Sequence, residues 1–348
     1  MGGGAVGGAV PAFHHPGPNR AWLALHHEEI LEPGLPIIDP HHHLWDRGGD
    51  RYFLDELLAD TESGHNIVAT VFAQCHWAYR TDGPEELRPV GETEFVVEIA
   101  AEAERRHTRT RVCAGIVGQA DMRLGDRVDA VLEAHVAAAG GRFRGIRHLT
   151  ARDEGFTAGI APPPPARMMG EPTFRAGVAR LERFGLSFDA WLYHTQIPEL
   201  TELARTFPGI PMVLDHVGGP LGIGPYQGRR DEVFTAWRAS IRQLAGCANV
   251  SVKLGGLAML VAGFGFHERP VPPSSEELAQ AWRPYFDACI EDFGAGRCMF
   301  ESNFPVDAAM CSYPVLWNAF KRVAHGASVT EKAELFHDTA AAVYRIAV

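Results

Sequence analysis

The sequence of 348 residues has no CxxC pair, no uninterrupted apolar run of about 18 residues and no excess of basic side chains. Six scattered cysteines favour free thiols in a reducing, cytoplasmic compartment. The missing apolar run and the lack of a basic leader argue against a membrane span and against secretion. The chain has 32 Lys and Arg and 43 Asp and Glu, which gives a net charge of −11. Because this charge repels phosphate backbones, nucleic acid is not an expected partner.

The composition is that of a globular chain, with 46% hydrophobic and 22% charged residues. Residues 1–34 are rich in Gly, Pro and His without periodicity, which predicts a partly disordered arm or a strap over the body. Residues 35–348 are expected to form one domain. The arm, together with aromatic loops, could also mediate contact between copies of the chain in a homo-oligomer.

Eight short apolar runs rich in β-branched residues alternate with longer amphipathic segments, which is typical of repeated βα units around a parallel sheet. The runs cover residues 36–39, 67–74, 111–117, 143–147, 186–192, 210–215, 250–254 and 298–302. Eight strands are the number that a (β/α)8 TIM barrel needs, and that fold is predicted here. An open, doubly wound sheet is the structural alternative.

Helices are predicted between these runs, at residues 94–106, 128–139, 173–184, 232–244, 276–290 and 315–323. Gly185 and Gly294 suit helix C-termini, and Ser274 with Glu277 forms a capping box. A final helix near residues 331–344 could close the lower end of the barrel.

The catalytic site of such a barrel lies at the carboxyl ends of the strands. The first run ends in IIDPHHHLWD, where alternation along an extended segment puts His41 and His43 on one face and turns His42 away. Two such imidazoles can share a metal ion or jointly polarise a carbonyl. The alternative is a polyhistidine loop at the surface. His216, in VLDHVGGP at the end of the sixth run, is expected to join them unless it is a hydrogen-bonded core histidine.

Several further polar residues follow the predicted strands and are candidates for substrate binding. Arg147, in GIRH, could hold a substrate carboxylate, or could form a structural ion pair. Lys253 interrupts an apolar strand, so its ammonium needs a partner in a site carboxylate or in the substrate. The other candidates, each with a purely structural or solvated alternative, are Gln74, His76, His148 and His194.

The last run ends in FESNFPVD. Glu301 and Asn303 share a face by alternation, and Asp307 lies further along the loop. One of these residues is expected to carry the base chemistry.

The motifs IIDPHHHLWD, GIRH, VLDHVGGP and FESNFPVD, in this order, resemble those of the amidohydrolase-related, metal-dependent hydrolases with a TIM-barrel fold. The similar branch contains sugar-acid lactonases and 2-pyrone-4,6-dicarboxylate lactonase. The resemblance spans residues 37–307. It implies that His41, His43 and His216 surround the reacting carbonyl and hold one divalent ion, with zinc the first choice, and that Arg147 helps to recognise the substrate.

The chain departs from the family pattern in the last motif, where Asn303 replaces an Asp of a Ser-Asp-Trp-Pro type sequence. A neutral amide leaves the charge of a cation uncompensated, so metal-independent catalysis stays open. Glu301 is the nearest replacement base, and Asp307 is the second. Asn303 could instead donate its amide hydrogens to a developing oxyanion.

The leading functional hypothesis is a hydrolase that opens a carboxylate-bearing lactone or related cyclic ester by attack of water on a polarised carbonyl. One alternative is metal-dependent, non-oxidative decarboxylation of an aromatic or muconate-type acid. Another is a barrel without catalysis that binds a small acid. The loop at residues 263–278 is expected to act as a lid or to form a rigid surface loop.

Overall fold

The computed structural model describes residues 12–158 and 163–347. Eight parallel strands surround one axis, each paired with the next in chain order. They are β1 (Pro36–His42), β2 (Asn66–Ala73), β3 (Arg111–Gly118), β4 (Phe143–Leu149), β5 (Ser187–Trp191), β6 (Met212–Leu214), β7 (Val250–Leu254) and β8 (Cys298–Phe300).

The first and last strands meet at the end of β1 and just beyond the end of β8. A parallel bridge joins His42 to Phe304, and the Asn303 N–H donates to the His41 carbonyl at 2.9 Å. The predicted (β/α)8 barrel is therefore confirmed and the open sheet is excluded. The boundaries differ by at most three residues from the predicted ones: β1 and β4 are longer than predicted, β6 and β8 are shorter, and β7 agrees.

Eight helices alternate with the strands. They are α1 (Leu54–Thr61), α2 (Val90–Arg105), α3 (Asp129–Ala138), α4 (Pro172–Phe184), α5 (Ile197–Thr206), α6 (Arg230–Ala245), α7 (Ser275–Phe293) and α8 (Tyr313–Val323). The predicted segments correspond to six of them, and α1 and α5, with eight and ten residues, were not among them. The capping box is present, since the Ser274 hydroxyl accepts from the Glu277 N–H at 3.2 Å and Glu277 accepts from the Ser274 N–H at 2.8 Å.

The lower end of the barrel is closed by the C-terminal segment. This segment consists of Val329–Ala333, one π-helical turn at Glu334–Asp338 and Thr339–Tyr344, instead of one regular helix. Tyr344 is fully buried in an apolar cluster with Ile38, Val71 and Val213 from the inner faces of the strands. Its hydroxyl donates to the carboxylate of Asp189 at 2.5 Å.

The part of the arm that is described, residues 12–34, lies on the barrel. Ala12–Phe13 pairs in parallel with Thr157–Ala158 in the loop after β4, and Arg20–Leu23 forms one helical turn. The Glu28 carboxylate accepts from the Ser275 N–H at 2.7 Å. Residues 1–11, for which mobility was also predicted, lie outside the described residues.

The loop at residues 263–278 is tied to its surroundings. The guanidinium of Arg230 lies 4.0 Å from the ring centroid of Phe264, and the Trp22 indole donates to the Arg269 carbonyl at 2.9 Å. All six cysteines are buried and unpaired, as predicted. Among the described residues, every helix is too short or too polar to cross a membrane.

Candidate active site

His41 and His43 project from the end of β1 to the inside of the barrel. Their rings are almost perpendicular, with centroids 4.9 Å apart. His42 points the other way, where its Nε2 lies 2.9 Å from the Thr70 hydroxyl and its ring packs against Phe72. Strand alternation therefore turns His41 and His43 inward and His42 outward, as predicted, and the three histidines do not form a surface loop.

His216 reaches the same place from the end of β6. The chain turns sharply there, with φ of +55° at His216 and +51° at Gly219. A Cβ at Gly219 would lie 2.5 Å from the Leu192 carbonyl, so only glycine fits this turn. The His216 ring centroid lies 4.6 Å from that of His41. The structure thus brings together three imidazoles that are each at most 3% exposed.

Glu301 connects two of these imidazoles from behind. One carboxylate oxygen accepts from Nδ1 of His216 at 2.6 Å and from the His216 backbone N–H at 3.1 Å. The other lies 3.0 Å from Nδ1 of His41. Burial raises the pKa of Glu301, but His216 and His41 outweigh it and lower the pKa to about 2. A carboxylate so acidic is a weak base, so the geometry gives Glu301 an orienting role in place of the predicted one.

The hydrogen bonds at Nδ1 decide where the lone pairs point. Nδ1 of His43 lies 2.8 Å from the Ala73 carbonyl oxygen, which can only accept, so the proton is on Nδ1 and Nε2 keeps its lone pair. The same reasoning applies to His216, whose Nδ1 donates to Glu301. Nε2 of His41 is buried and has no partner among the described residues.

Asn303 faces this cluster with its oxygen. Its Nδ2 donates to the Asp307 carboxyl at 2.8 Å, which turns Oδ1 towards Nε2 of His43 at 3.3 Å. The amide nitrogen is thus engaged with Asp307 and does not face the imidazoles, which disfavours the predicted oxyanion role. Burial, reinforced by the nearby charge of Glu301, raises the pKa of Asp307 well above its usual range despite the Asn303 hydrogen bond.

Lys253 lies beneath the imidazoles and is fully buried. Its ammonium donates to Asp189 at 2.9 Å and to Asp215 at 3.0 Å, and lies 3.1 Å from Nδ1 of His41. The sequence predicted a site carboxylate or the substrate as the partner of Lys253, and in the structure the partners are carboxylates. Lys253 is therefore not placed to bind substrate, because its donors are spent inside the barrel.

Arg147 is also held by a carboxylate. Its Nε donates to Asp215 at 2.7 Å and Nη1 to the Gln74 carbonyl at 3.3 Å, whereas Nη2 lies 3.4 Å from Nε2 of His216. Arg147 thus forms the structural ion pair that was predicted from the sequence as the alternative to carboxylate binding. Its guanidinium also lies next to the imidazoles. Asp215 was not predicted from the sequence as the ion-pair partner of Arg147. Its position next to His216 in the sequence was the signal that could have indicated it.

The structure does not bring His148 to the cluster. Its ring packs against Phe174 on the helix side of β4, and Nδ1 lies 3.2 Å from the Ala120 carbonyl, because alternation turns it away from the Arg147 side. His194 is buried against Tyr226, with ring centroids 5.3 Å apart, and its Nδ1 has no partner in the part of the chain that the structure describes.

Gln74 and His76 follow β2. Both polar atoms of the Gln74 side chain are buried without a hydrogen-bond partner among the described residues. His76 is exposed, has φ of +62° and packs edge-on against Tyr79. Their predicted contacts with substrate stay predictions.

The cluster fits a divalent ion. Two acceptor atoms, Nε2 of His43 and Oδ1 of Asn303, face each other at 3.3 Å, and such lone pairs repel unless a cation or a donor lies beside them. His41, Asp215 and His216 also bring metal-ligating atoms to within 4.8 Å of one another. This group of three contains Asp215, whereas the metal ligands predicted from the sequence are His41, His43 and His216. Because Arg147 and Lys253 already bind Asp215, the three imidazoles with Asn303 are the better ligand set.

Two relatives illustrate what the chain is similar to. The protein y4mH of Sinorhizobium fredii is 34% identical over 335 residues, which cover 90% of this chain and 99% of the relative. An L-fucono-1,5-lactonase of Burkholderia multivorans is 27% identical over 256 residues, which cover 73% of this chain and 77% of the relative.

Solved structures share the fold. An amidohydrolase from Burkholderia multivorans with bound zinc matches with a TM-score of 0.69 at 24% identity, over 89% of this chain and 99% of that one. A 5-carboxyvanillate decarboxylase from Novosphingobium aromaticivorans, with bound manganese, matches with a TM-score of 0.56 at 14% identity, over 90% of this chain and 98% of that one. The model of the amidohydrolase family matches residues 38–346, nearly the whole barrel. This chain therefore belongs to the amidohydrolase family.

Proposed function

We propose that this protein is a lactonase, which opens a carboxylate-bearing lactone or related cyclic ester by attack of water. The observation that carries the proposal is the cluster of His41, His43 and His216. Nδ1 of His43 and of His216 is fixed by an acceptor, so Nε2 of each ring keeps its lone pair. The similarity to a protein named L-fucono-1,5-lactonase supports the same reaction class.

The electrostatic part of the reaction is assigned to groups that need not move. Nη2 of Arg147 lies beside His216 and is held by the ion pair with Asp215, so it can donate to negative charge that develops on the carbonyl oxygen. A divalent ion bound by the imidazoles and Asn303 would supply Lewis acidity towards the same carbonyl. Burial of the cluster strengthens these interactions, because little water screens them.

Asp307 is assigned the proton transfer, in preference to Glu301. Glu301 is held ionised by two imidazoles, whereas burial raises the pKa of Asp307 well above its usual range, so Asp307 is the stronger base of the two. One Asp307 oxygen accepts from Asn303. The other is buried and has no hydrogen-bond partner within residues 12–158 and 163–347, so we assign the proton to this second oxygen.

The experiment measures acid release in a pH-stat from a panel of carboxylate-bearing lactones, pyrone-type lactones among them, with aldonolactones for comparison. We expect turnover of at least one lactone, and a loss of about 100-fold or more in kcat for His216→Asn and for Asp307→Asn. The exposed His325→Gln is the matched control and should keep full activity. Absence of turnover on every lactone would overturn the proposal. Release of carbon dioxide from aromatic acids would then indicate a decarboxylase, and binding of an acid without turnover would indicate a binding protein.

A further inference from the structure

Two stacks of side chains leave the histidine cluster towards the mouth of the barrel. The first, which we call the cationic stack, is formed by His43, Trp45 and Arg47. The Trp45 ring lies 5.4 Å from the His43 ring and is tilted by only 18°, and the guanidinium carbon of Arg47 lies 4.3 Å from the Trp45 centroid. Alternation along the extended chain after β1 places these three side chains on one face.

The second, which we call the aromatic stack, begins at His216. Trp191 meets this imidazole edge-on at 4.8 Å, Tyr193 follows at 5.7 Å from Trp191, and Phe156 at 5.7 Å from Tyr193. The last ring is Phe13 of the N-terminal arm, 5.9 Å from Phe156. Edge-on and tilted contacts of this kind are favourable between aromatic rings.

The two stacks lie on opposite sides of the barrel. The cationic stack follows β1 and the aromatic stack rises from β5, which is four strands away in a sheet of eight. Asp189, inside β5, binds Lys253 within the barrel, so Trp191 and then Tyr193, two and four residues further on, share the inner face.

An apolar cluster surrounds the aromatic stack, although His194, Tyr226 and Asp153 bring polar atoms to the same loops. The loops after β4 to β7 form one cluster there, and among its buried members only Trp191 and Tyr193 carry a polar side-chain atom; the others are Ala151, Phe156, Leu221, Ile223, Met259 and Val261. Hydroxyl groups of a substrate that lie directly against these apolar side chains would be buried without hydrogen-bond partners, which is unfavourable.

We propose that the substrate is an amphipathic lactone, whose carboxylate is bound by Arg47 and whose apolar alkyl or aryl substituent lies against the aromatic stack. This inference rests on the proposed lactonase function and narrows its substrate class. Arg47 takes the anion-binding role that was predicted for Arg147. The Arg147 guanidinium is paired with Asp215, whereas Arg47 is exposed at the mouth, donates to the Cys75 carbonyl and has no carboxylate partner among the described residues. A polyhydroxylated aldonolactone is disfavoured on the same grounds.

The arm contributes a specificity-determining residue. Phe13 is held over Phe156 by the pairing of Ala12–Phe13 with Thr157–Ala158. His15 strengthens the attachment, since its ring lies 2.8 Å from the Val306 carbonyl and 3.3 Å from the Leu260 N–H. The arm therefore joins loops that follow β4, β7 and β8, and Phe13 forms the outer end of the apolar side.

The test compares two δ-lactones with the same carboxylate, one with a hexyl chain and one with hydroxyl groups in its place. We expect kcat/KM to be at least about 10-fold higher for the hexyl lactone. Phe13→Ala and Phe156→Ala should each lower kcat/KM for the hexyl lactone several-fold through KM and leave the hydroxylated one unchanged. Arg47→Gln should lower kcat/KM about 10-fold for the carboxylate and not for the corresponding amide.

The control for Phe13→Ala is His14→Ala, because His14 is its exposed neighbour in the arm. Calorimetric titration with the ring-opened hydroxy acids provides a reading that does not depend on turnover. Preference for the hydroxylated lactone, or equal behaviour of Phe13→Ala and His14→Ala, would overturn the inference and leave the lactonase proposal standing. Tight binding of the hexyl acid that Phe13→Ala weakens, without hydrolysis of any lactone, would overturn the lactonase proposal and support the assigned binding surface.

Discussion

Single residues behind the imidazoles decide how these imidazoles are presented. Glu301 accepts from His216 and lies 3.0 Å from Nδ1 of His41, so its charge and its two oxygens orient both rings. Carboxylates in this position raise the basicity of histidine ligands and fix their tautomers. The sequence signal for Glu301, its place on the face of Asn303, located it in the cluster, where its contacts with two imidazoles favour an orienting role over the predicted base role.

Replacement of Glu301 by Gln tests the orienting role. The amide keeps the size of the side chain but can no longer accept from both Nδ1 atoms as a charged group, so we expect zinc affinity and activity to fall about 10- to 100-fold. Zinc affinity is measured by competition with a chelator, and activity in the lactone assay. Glu154→Gln, in an exposed loop, is the matched control. Unchanged zinc affinity would argue against the orienting role.

The substitution Asn303→Asp restores the carboxylate that the family motif carries. It places this carboxylate 2.8 Å from the Asp307 carboxyl, and two such groups must share a proton in the absence of a cation. We expect divalent ions to bind about 10-fold more tightly, and the metal-free protein to lose about 1–3 kcal/mol of unfolding free energy. Chelator competition and urea denaturation of the two metal-free proteins measure these effects. Weaker zinc binding by the variant would contradict the ligand set of three imidazoles and residue 303.

At the scale of elements, the C-terminal segment acts as the floor of the barrel. Thr339–Tyr344 covers the apolar inner layer formed by strands on both sides of the barrel, and the Tyr344 hydroxyl reaches Asp189, which in turn binds Lys253. A charge network inside a barrel needs such a cover, because water would otherwise reach its lower end.

Two substitutions of Tyr344 separate the two contributions of this element. Tyr344→Phe removes one hydrogen bond to a charged acceptor and should cost about 1.5–3 kcal/mol of unfolding free energy. Tyr344→Ala also opens a cavity under the strands and should cost about 3–5 kcal/mol. Urea denaturation measures both values. Equal losses for the two variants would show that the ring does not fill the floor as described.

At the scale of the whole molecule, buried neutral histidines set the response to acid. Burial lowers the pKa of His135 to about 4, and it lowers the pKa of His148 to about 4 as well, against about 6.5 in an unfolded chain. Between these values the unfolded chain binds protons that the folded protein does not. Stability contributed by these groups is therefore present above pH 6.5 and is lost as the pH falls towards 4.

We expect each of these two histidines to remove about 3 kcal/mol of unfolding free energy between pH 6.5 and 4. His135→Gln should reduce the slope of the unfolding free energy against pH by about 1.4 kcal/mol per pH unit in this range, which corresponds to one proton. Urea denaturation at pH 7, 6 and 5 measures the slope, with the exposed His325→Gln as the control. A slope that His135→Gln leaves unchanged would mean that His135 is protonated in the folded protein.

The sequence by itself determined the barrel and the meeting of His41, His43 and His216. Both follow from local rules: eight apolar runs specify strands, alternation sets which side chains face inward, and parallel strands bring their carboxyl ends to one edge. Tertiary structure alone decided which partner each charge has. Lys253 and Arg147 converge on Asp215 because burial forces charges to pair with the carboxylate that lies nearest in space, whatever its position in the chain. Phe13 reaches Phe156 because the arm pairs with the loop after β4, which is also distant in the chain.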